Sequence, residues 1–309
     1  MTWATVLSFI QGVASGAIRS GASIFYAALG EVIVQRAGIV NLGLEGCMLV
    51  GACAGFIVAS RTGNPYVALL VAAVAGGAFN LVLGLLVITR RANQLASGLT
   101  LLFLAYGLTS ILGADYVGKR INGLQQLSIP LLVDIPVVGP VLFQGDVLWF
   151  TMLPAAGCVW WLLYRTRWGL SLRTVGESRV VAYASGLSPR SLQYQALFIG
   201  GLLGGVGGAQ LSLSYARVWI EQMTAGRGFI AVALVIFASW HPVRAIAGGL
   251  LFGGAIAFQL QLQARNASVS PFLLDMLPYV LTIAVLLIWG RNRQYQMPQG
   301  LSSVFEGTD

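Results

Sequence analysis

The stretch I-V-N-L-G-L-E-G-C-M-L-V-G-A, residues 39–52, places one carboxylate, Glu45, inside an apolar run that glycines punctuate. Only 9% of the 309 residues are charged and 57% are hydrophobic, and the mean hydropathy is +0.80. A carboxylate in such a setting is costly unless it has a partner or water beside it. The apolar runs are long and continuous, and a bilayer admits them only as helices. The sequence therefore predicts an all-α polytopic membrane protein.

The apolar runs predict about nine transmembrane helices, with a range of eight to ten. They cover residues 5–29, 39–59, 66–88, 94–113, 146–164, 190–214, 228–240, 244–262 and 272–290. The first run could instead form two short pieces broken near Arg19. The seventh is short, and we expect it to begin deeper in the membrane than a regular span.

Arginine placement predicts the orientation, because cytoplasmic loops are enriched in Lys and Arg. The loop 165–190 carries five arginines, and the tail 291–309 carries Arg291 and Arg293. Both are therefore expected in the cytoplasm, which places the loop 114–145 and the N-terminus outside.

A weak internal repeat relates residues 39–88 to residues 226–262. Each has a glycine-punctuated span, a short X-Pro turn and a second apolar span, and the predicted orientation makes the two copies inverted. Inverted repeats place a substrate pathway between the halves. The single transmembrane domain 1–309 would divide into repeat one (5–113), an extracytoplasmic loop (114–145), a linking span (146–164), a cytoplasmic segment (165–189), repeat two (190–290) and a cytoplasmic tail (291–309). Chance similarity of two apolar hairpins is the alternative.

Several function classes are excluded by what the sequence lacks. It has no G-x-x-x-x-G-K-[ST] loop, so the chain is not expected to be an ordinary ATPase by itself. Its one histidine, His241, precedes a proline in a turn, and its three cysteines lie singly in apolar runs, so neither a metal site nor a catalytic constellation is indicated. The net charge of +8 comes from scattered arginines rather than a basic patch, which argues against nucleic acid.

Glu45 and Asn41 are the leading polar candidates in the membrane. Asn41 and Glu45 are four residues apart, so they could share a helical face and a hydrogen bond. Alternatively, the Asn41 side chain could cap the second span by accepting a hydrogen bond from Gly43 or Leu44 N–H. Glu45 either ties helices together or lines the pathway. Further candidates for the pathway or its gate, for which packing is the alternative, are Phe25, Tyr26, Phe79, Asn80 and Gln210. Glycines expected at close helix contacts are Gly43, Gly46, Gly51, Gly204 and Gly208.

The cytoplasmic loop W-G-L-S-L-R-T-V-G-E-S-R-V-V-A-Y-A-S-G-L-S-P-R, residues 168–190, predicts a short amphipathic helix. Gly186 suits a helix C-terminus, and Ser188-Pro189 suits the start of the next span. The helix could bind a soluble partner or lie on the lipid surface.

Two motifs resemble one family. The pattern G-E…G…N-[LI]-G-x-E-G-x-x-x-x-G-A is matched at residues 30–52. A second pattern, G-x-x-x-R-x-x-G-E-x-x-x-A-A-x-x-x-G-[IL], is matched at Gly169, Arg173, Gly176, Glu177, Ala182 and Gly186. Both are similar to permeases of ABC importers for simple sugars and nucleosides, and the shorter nucleoside-type permease is the nearest match. The resemblance implies a type II ABC-importer fold in the inner membrane of a bacterium.

The resemblance also implies partners and a coupling site. An ABC ATPase, expected as one chain with two cassettes, would bind the segment through Arg173, Gly176, Glu177, Arg179, Ala182 and Gly186. A second permease would complete the pathway, with a heterodimer favoured over a homodimer, and an extracytoplasmic lipoprotein would deliver a nucleoside. A sugar importer of the same architecture and an ion-coupled secondary transporter are the alternatives.

Overall fold

The computed structural model describes residues 3–135, 138–265, 270–289 and 297–302, and 77% of it is helical. The helices are α1 (Trp3–Arg36), α2 (Leu44–Thr62), α3 (Pro65–Gly84), α4 (Gln94–Gly113), α5 (Val138–Leu142), α6 (Val147–Phe150), α7 (Met152–Arg165), α8 (Arg167–Glu177), α9 (Arg179–Ala184), α10 (Pro189–Ala209), α11 (Arg227–Phe237), α12 (Pro242–Ala264), α13 (Pro271–Asp275) and α14 (Leu277–Trp289). The π-helices Leu85–Thr89 and Gln210–Tyr215 continue α3 and α10. Short 3-10 helices cover Ala114–Tyr116 and Gln299–Leu301, and the strands β1 (Leu127–Ser128) and β2 (Gln144–Gly145) pair antiparallel.

Six helices within the described residues are long and apolar enough to cross a membrane. They run over Leu7–Arg36, Leu44–Thr62, Pro65–Thr89, Gln94–Tyr116, Pro189–Tyr215 and Pro242–Ala264. The other three predicted spans are present as shorter helices, α7 of 14 residues, α11 of 11 and α14 of 13. The protein is therefore an all-helical, multi-pass membrane protein. The arginines predicted to orient the tail, Arg291 and Arg293, lie outside the described residues.

The first helix is longer than the sequence predicts. It passes through Arg19 without a break and ends at Arg36, so the predicted end at residue 29 and the alternative break are both wrong. No proline interrupts this stretch. The polar residues near its end, Glu31 and Gln35, are fully buried and hydrogen-bonded to each other at 2.8 Å, so they continue the helix inside the protein.

Local sequence sets most helix starts. The Asn64 side chain accepts hydrogen bonds from Tyr66 and Val67 N–H, and Pro65 occupies the first turn of α3. Thr166 caps α8 in the same way, and Asp146 caps α6. These are the residue types that satisfy the free N–H groups of a first turn.

The two most extensive helix contacts join α1 to α12 and α3 to α10, and glycines lie at both. A Cβ at Gly21 would overlap the carbonyl oxygen of Gly249, and a Cβ at Gly205 would overlap that of Ala72. Small residues let membrane helices approach until their backbones touch. Close backbone contact is therefore part of what holds these pairs together.

The five glycines singled out by the sequence all lie at contacts between segments. A Cβ at Gly208 would overlap Met48 O, and one at Gly51 would lie 2.5 Å from Gly205 Cα. A Cβ at Gly46 would lie 2.9 Å from Ala105 Cβ. The remaining two, Gly43 and Gly204, would bring a Cβ to 3.1 Å from its nearest neighbour.

Candidate functional site

A buried, non-helical break of residues 37–43 joins α1 to α2. Side chains from other helices satisfy its backbone. The carboxylate of Glu31 accepts a hydrogen bond from Asn41 N–H (3.0 Å), and Gln94 Oε1 accepts one from Val40 N–H (2.9 Å). Gln193 Nε2 donates to the carbonyl oxygen of Ala37 at 3.0 Å. Non-helical backbone inside a membrane protein is tolerated only where protein groups, in place of water, satisfy its hydrogen bonds.

Asn41 lies in this break rather than in α2, so it neither caps that helix nor shares a helical face with Glu45, and both expectations were wrong. The N-cap residue is Gly43, which offers no side chain. Asn41 Nδ2 instead donates to Asn80 Oδ1 at 2.8 Å, and Asn80 Nδ2 donates to Leu197 O at 2.6 Å. The pair of amides connects the break to α3 and α10.

Glu45 caps a helix from the other half of the chain. Its side chain is 1% exposed, and its two oxygens accept hydrogen bonds from Gly226 N–H (2.7 Å) and Gly228 N–H (2.5 Å) at the start of α11. A Cβ at Gly228 would lie 2.5 Å from Glu45 Cα, so only glycine permits this approach. A carboxylate at a helix N-terminus satisfies free N–H groups and complements the helix dipole.

The short helix α11 is the seventh predicted span. At 11 residues it is about 16 Å long, half the thickness of a hydrocarbon core. Its first residue, Arg227, places its guanidinium 5.1 Å from the centre of the Tyr215 ring. Tyr279 donates to the carbonyl oxygen of Ala225 at 3.1 Å. The start of α11 is thus a partly buried polar centre that α2, the second π-helix and α14 contact.

The other pathway candidates have different surroundings. Phe25 is fully buried, and Phe79 is 8% exposed within an apolar cluster. Tyr26 donates to Leu148 O at 2.7 Å, which ties α1 to α6. Gln210 lines a cavity of about 100 Å³ at the end of the molecule away from α8 and α9. Of the seven candidates, Gln210 therefore combines burial with access to a cavity wall.

The segment predicted as one amphipathic helix forms two helices, α8 and α9, which meet at Ser178. The Ser178 side chain accepts a hydrogen bond from Val181 N–H at 3.3 Å and starts α9. Ala182 is buried, whereas Val180 is 78% and Tyr183 76% exposed. Gly186 follows α9 with φ +78°, a conformation that glycine adopts readily. The segment therefore presents an apolar surface to its surroundings.

The remaining residues of this segment contact the membrane bundle. The Arg173 guanidinium lies 4.9 Å from the centre of the Tyr164 ring. A Cβ at Gly176 would overlap the carbonyl oxygen of Arg36, so α8 lies directly against the end of α1. Glu177 accepts a hydrogen bond from Gln299 N–H at 3.1 Å, and Arg179 is exposed. The segment is thus joined to the break 37–43 and to the chain near residue 299.

His241 lies in the turn between α11 and α12. Its ring stacks on Tyr164, with 5.6 Å between centroids. Partial burial, with Arg244 and Arg36 nearby, lowers the pKa of His241. The neighbouring Trp240 donates to Gln35 Oε1 at 2.7 Å. Among the described residues, no group of three His, Cys, Asp or Glu side chains could hold a metal ion.

Sequence reasoning missed Gln94, Gln193 and Trp240, which bind the break or the end of α1. Both amides lie among other polar residues at the start of a helix, so no signal in the sequence sets them apart. Nothing in the sequence indicates the contact between Glu177 and Gln299.

The sequence comparisons agree with this architecture. The family described as "Branched-chain amino acid transport system / permease component" matches residues 13–286. The putative glucose ABC transporter permease protein TsgC13 of Haloferax volcanii is 37% identical, covering 91% of this chain and 92% of its own. The guanosine ABC transporter permease protein NupQ of Bacillus subtilis is 34% identical (86% and 88%), and the nucleoside ABC transporter permease protein NupC of Lactococcus lactis is 31% identical (92% and 94%).

No solved structure matches the chain significantly. The relatives confirm the resemblance to sugar and nucleoside importer permeases, and they match along nearly the whole chain. This chain belongs to the branched-chain amino acid transport system permease family.

Proposed function

We propose that this protein is the permease subunit of a binding-protein-dependent ABC importer that takes up nucleosides. The observation that carries the proposal is the end-to-end similarity to NupQ and NupC, whose names specify guanosine and nucleosides. TsgC13 makes a simple sugar the second candidate substrate. Nucleosides and sugars share a neutral ring that carries hydroxyl groups.

The proposed partners are an ABC ATPase with two cassettes, an extracytoplasmic lipoprotein and a second, different permease. Bacillus subtilis has another guanosine permease protein, NupP, which is 26% identical and of which this chain covers 74%. The better match to NupQ supports the role of the shorter subunit in a heterodimer. The complex would lie in the inner membrane, with the C-terminus of this chain in the cytoplasm and ATP and Mg²⁺ on the ATPase.

The proposed topology has nine spans and two inverted repeats, 5–113 and 190–290, separated by the outer loop 114–145, the linking span 146–164 and the cytoplasmic segment 165–189. Two features support the repeats. A prolyl turn precedes both α3 and α12. The N-termini of α2 and α11 meet at Glu45.

The proposed ATPase contact is the exposed apolar surface of α9, formed by Val180, Val181 and Tyr183. Because Gly176 joins α8 to the end of α1, movement of this segment would reach the break 37–43. Rigid transmission of this kind couples two conformational states.

Replacing Val180 by aspartate should uncouple ATP hydrolysis from transport, because a charge would be buried in the ATPase contact. We expect normal membrane insertion and at least a tenfold loss of uptake. Val117→Asp is the matched control, since Val117 is 51% exposed on the other end of the protein. Glu177→Arg should also uncouple, but it would break the bond to Gln299 as well. Normal transport by Val180→Asp would contradict the coupling role.

Uptake by the reconstituted importer tests the function. Proteoliposomes that contain both permeases and the ATPase are supplied with the binding lipoprotein and labelled guanosine or glucose. We expect ATP-dependent guanosine uptake that a protonophore leaves unchanged. Uptake that the protonophore abolishes, and that continues without the ATPase, would establish the ion-coupled alternative. Both oxygens of Glu45 accept backbone hydrogen bonds, which favours a helix cap over proton chemistry at that position.

A further inference from the structure

A cavity of about 100 Å³ with both polar and apolar walls lies between α1, the loop before α6 and the second π-helix, Gln210–Tyr215. Four of its wall residues carry the argument: Arg19, Gln144, Trp149 and Gln210. The helix α10 and its π-helix extension, 27 residues, separate this cavity from the coupling segment at the other end of the molecule. π-Helices occur often at functional sites, because the extra residue redirects side chains.

Gln210 is held in place but incompletely bonded. Its side chain is 2% exposed, and Nε2 donates to the carbonyl oxygen of Arg19 at 2.9 Å. Its Oε1 has no hydrogen-bond partner among the described residues. A buried amide oxygen without a donor costs about 1–3 kcal/mol, so a ligand that supplies a donor is favoured at this position.

The other walls restrict the ligand further. An anion offers Gln210 Oε1 no donor, and the exposed guanidinium of Arg19 repels cations. Gln144 is exposed and can both donate and accept. Trp149 is anchored by its Nε1, which donates to Leu142 O at 2.9 Å, so its ring forms a fixed apolar wall. A sugar ring fits these walls, because its hydroxyl groups are neutral and both donate and accept hydrogen bonds, and its ring has an apolar face.

Two charged side chains beside the cavity already make hydrogen bonds within the protein. Asp146 accepts hydrogen bonds from Ser214 Oγ and from Trp149 N–H, the latter at 2.8 Å. Arg217 donates to Leu124 O at 2.7 Å. These bonds fix the π-helix and the loop before α6 around the cavity and leave Gln210, Arg19 and Gln144 for a ligand.

We infer that this cavity binds the hydroxyl-bearing ring of the transported molecule, with Gln210 Oε1 accepting a ring hydroxyl and Arg19 and Gln144 donating to its neighbours. The cavity is smaller than the pockets of about 300 Å³ or more that enclose whole drug-sized ligands, so it takes one ring and leaves a base outside. The inference rests on the proposed function. The ribose of a nucleoside and a free hexose share this chemistry.

The test is the uptake ratio of guanosine to 2′,3′-dideoxyguanosine, which lacks the two ring hydroxyls, in the reconstituted importer. The same binding lipoprotein serves every permease variant, so a change in the ratio reports the permease alone. We expect Gln210→Leu to lower guanosine uptake at limiting substrate about tenfold, to leave the dideoxy analogue nearly unchanged and so to reduce the ratio about tenfold.

Arg19→Gln is the second variant, and it keeps the backbone carbonyl that holds Gln210. It therefore tests the inference even if Gln210→Leu fails to fold. We expect it to reduce the ratio of guanosine to dideoxyguanosine uptake severalfold. Arg120→Gln is the control, because Arg120 is exposed at the same end of the protein and lines a different hollow. The inference would be overturned if Gln210→Leu and Arg19→Gln both kept the wild-type uptake ratio. If Gln210→Leu does not fold, a wild-type ratio in Arg19→Gln alone would overturn it.

Glucose and 2-deoxyglucose form the second arm. If only glucose is taken up, the uptake ratio of glucose to 2-deoxyglucose replaces the ratio of guanosine to its dideoxy analogue. The bound ring is then that of a free sugar. If the wild-type importer takes up neither guanosine nor glucose with ATP, the proposed function fails independently of the variants.

Discussion

Replacing Glu45 by leucine should abolish accumulation of the folded permease in the membrane. The change removes the acceptor for two N–H groups at the start of α11, a buried one at Gly228 and a partly buried one at Gly226. A stranded buried N–H costs about 1–3 kcal/mol, which is a large part of the 5–15 kcal/mol that stabilises a typical protein, and the partly buried N–H adds a smaller cost. Arg227 would also lose a balancing carboxylate. The measurement is the amount of monodisperse protein extracted from membranes, together with its thermal midpoint.

Two further variants make the Glu45 experiment specific. Glu45→Gln keeps one acceptor oxygen and should lie between wild type and Glu45→Leu in thermal midpoint. Glu221→Gln removes an exposed carboxylate near α11 and should change neither quantity. Glu45→Leu protein that is as stable as wild type but does not transport would show that Glu45 serves the pathway rather than the fold.

Gly208→Ala should destabilise the permease strongly. The new Cβ would overlap the carbonyl oxygen of Met48, and backbone cannot rotate away as a side chain can. Forcing extra atoms into a packed interior costs about 1–3 kcal/mol or more, which exceeds the gain of about 1 kcal/mol that alanine brings to a helix. The shift would also displace α2, which carries Glu45. We expect a lower thermal midpoint and reduced transport per folded molecule.

Gly107→Ala is the matched control for Gly208→Ala. Gly107 also lies inside a membrane helix, α4, but no heavy atom lies within 4 Å of its potential Cβ. Its substitution should leave the thermal midpoint unchanged or raise it slightly. Equal effects of the two substitutions would refute the role of backbone contact at Gly208.

Much of the helical architecture could be predicted because apolar length and local capping are properties of the sequence. The Asn64-Pro65 turn and Gly186 at the end of α9 depend only on neighbouring residues. The end of α1 could not be predicted in the same way. Glu31 and Gln35 look like the polar end of a span, but both are buried and hydrogen-bonded inside the bundle.

The sequence predicted which residues belong to the candidate site, but not which groups they contact. Asn41 was expected to bond within its own segment, because that is the partner that sequence spacing suggests. It bonds Asn80 instead, a residue on α3. The exposed surface of α9 was expected from its pattern, but the contact of Glu177 with Gln299 joins residues 122 positions apart.

By itself, the sequence determined the membrane class, the approximate helices and the family, because composition and local motifs carry those properties. Only the tertiary structure decided what Glu45 does. Its partners, Gly226 and Gly228, lie 181 and 183 residues further along the chain. A hydrogen bond depends on a separation of about 3 Å in space, and no spacing along a chain specifies which distant N–H groups the folded bundle will bring to a buried carboxylate.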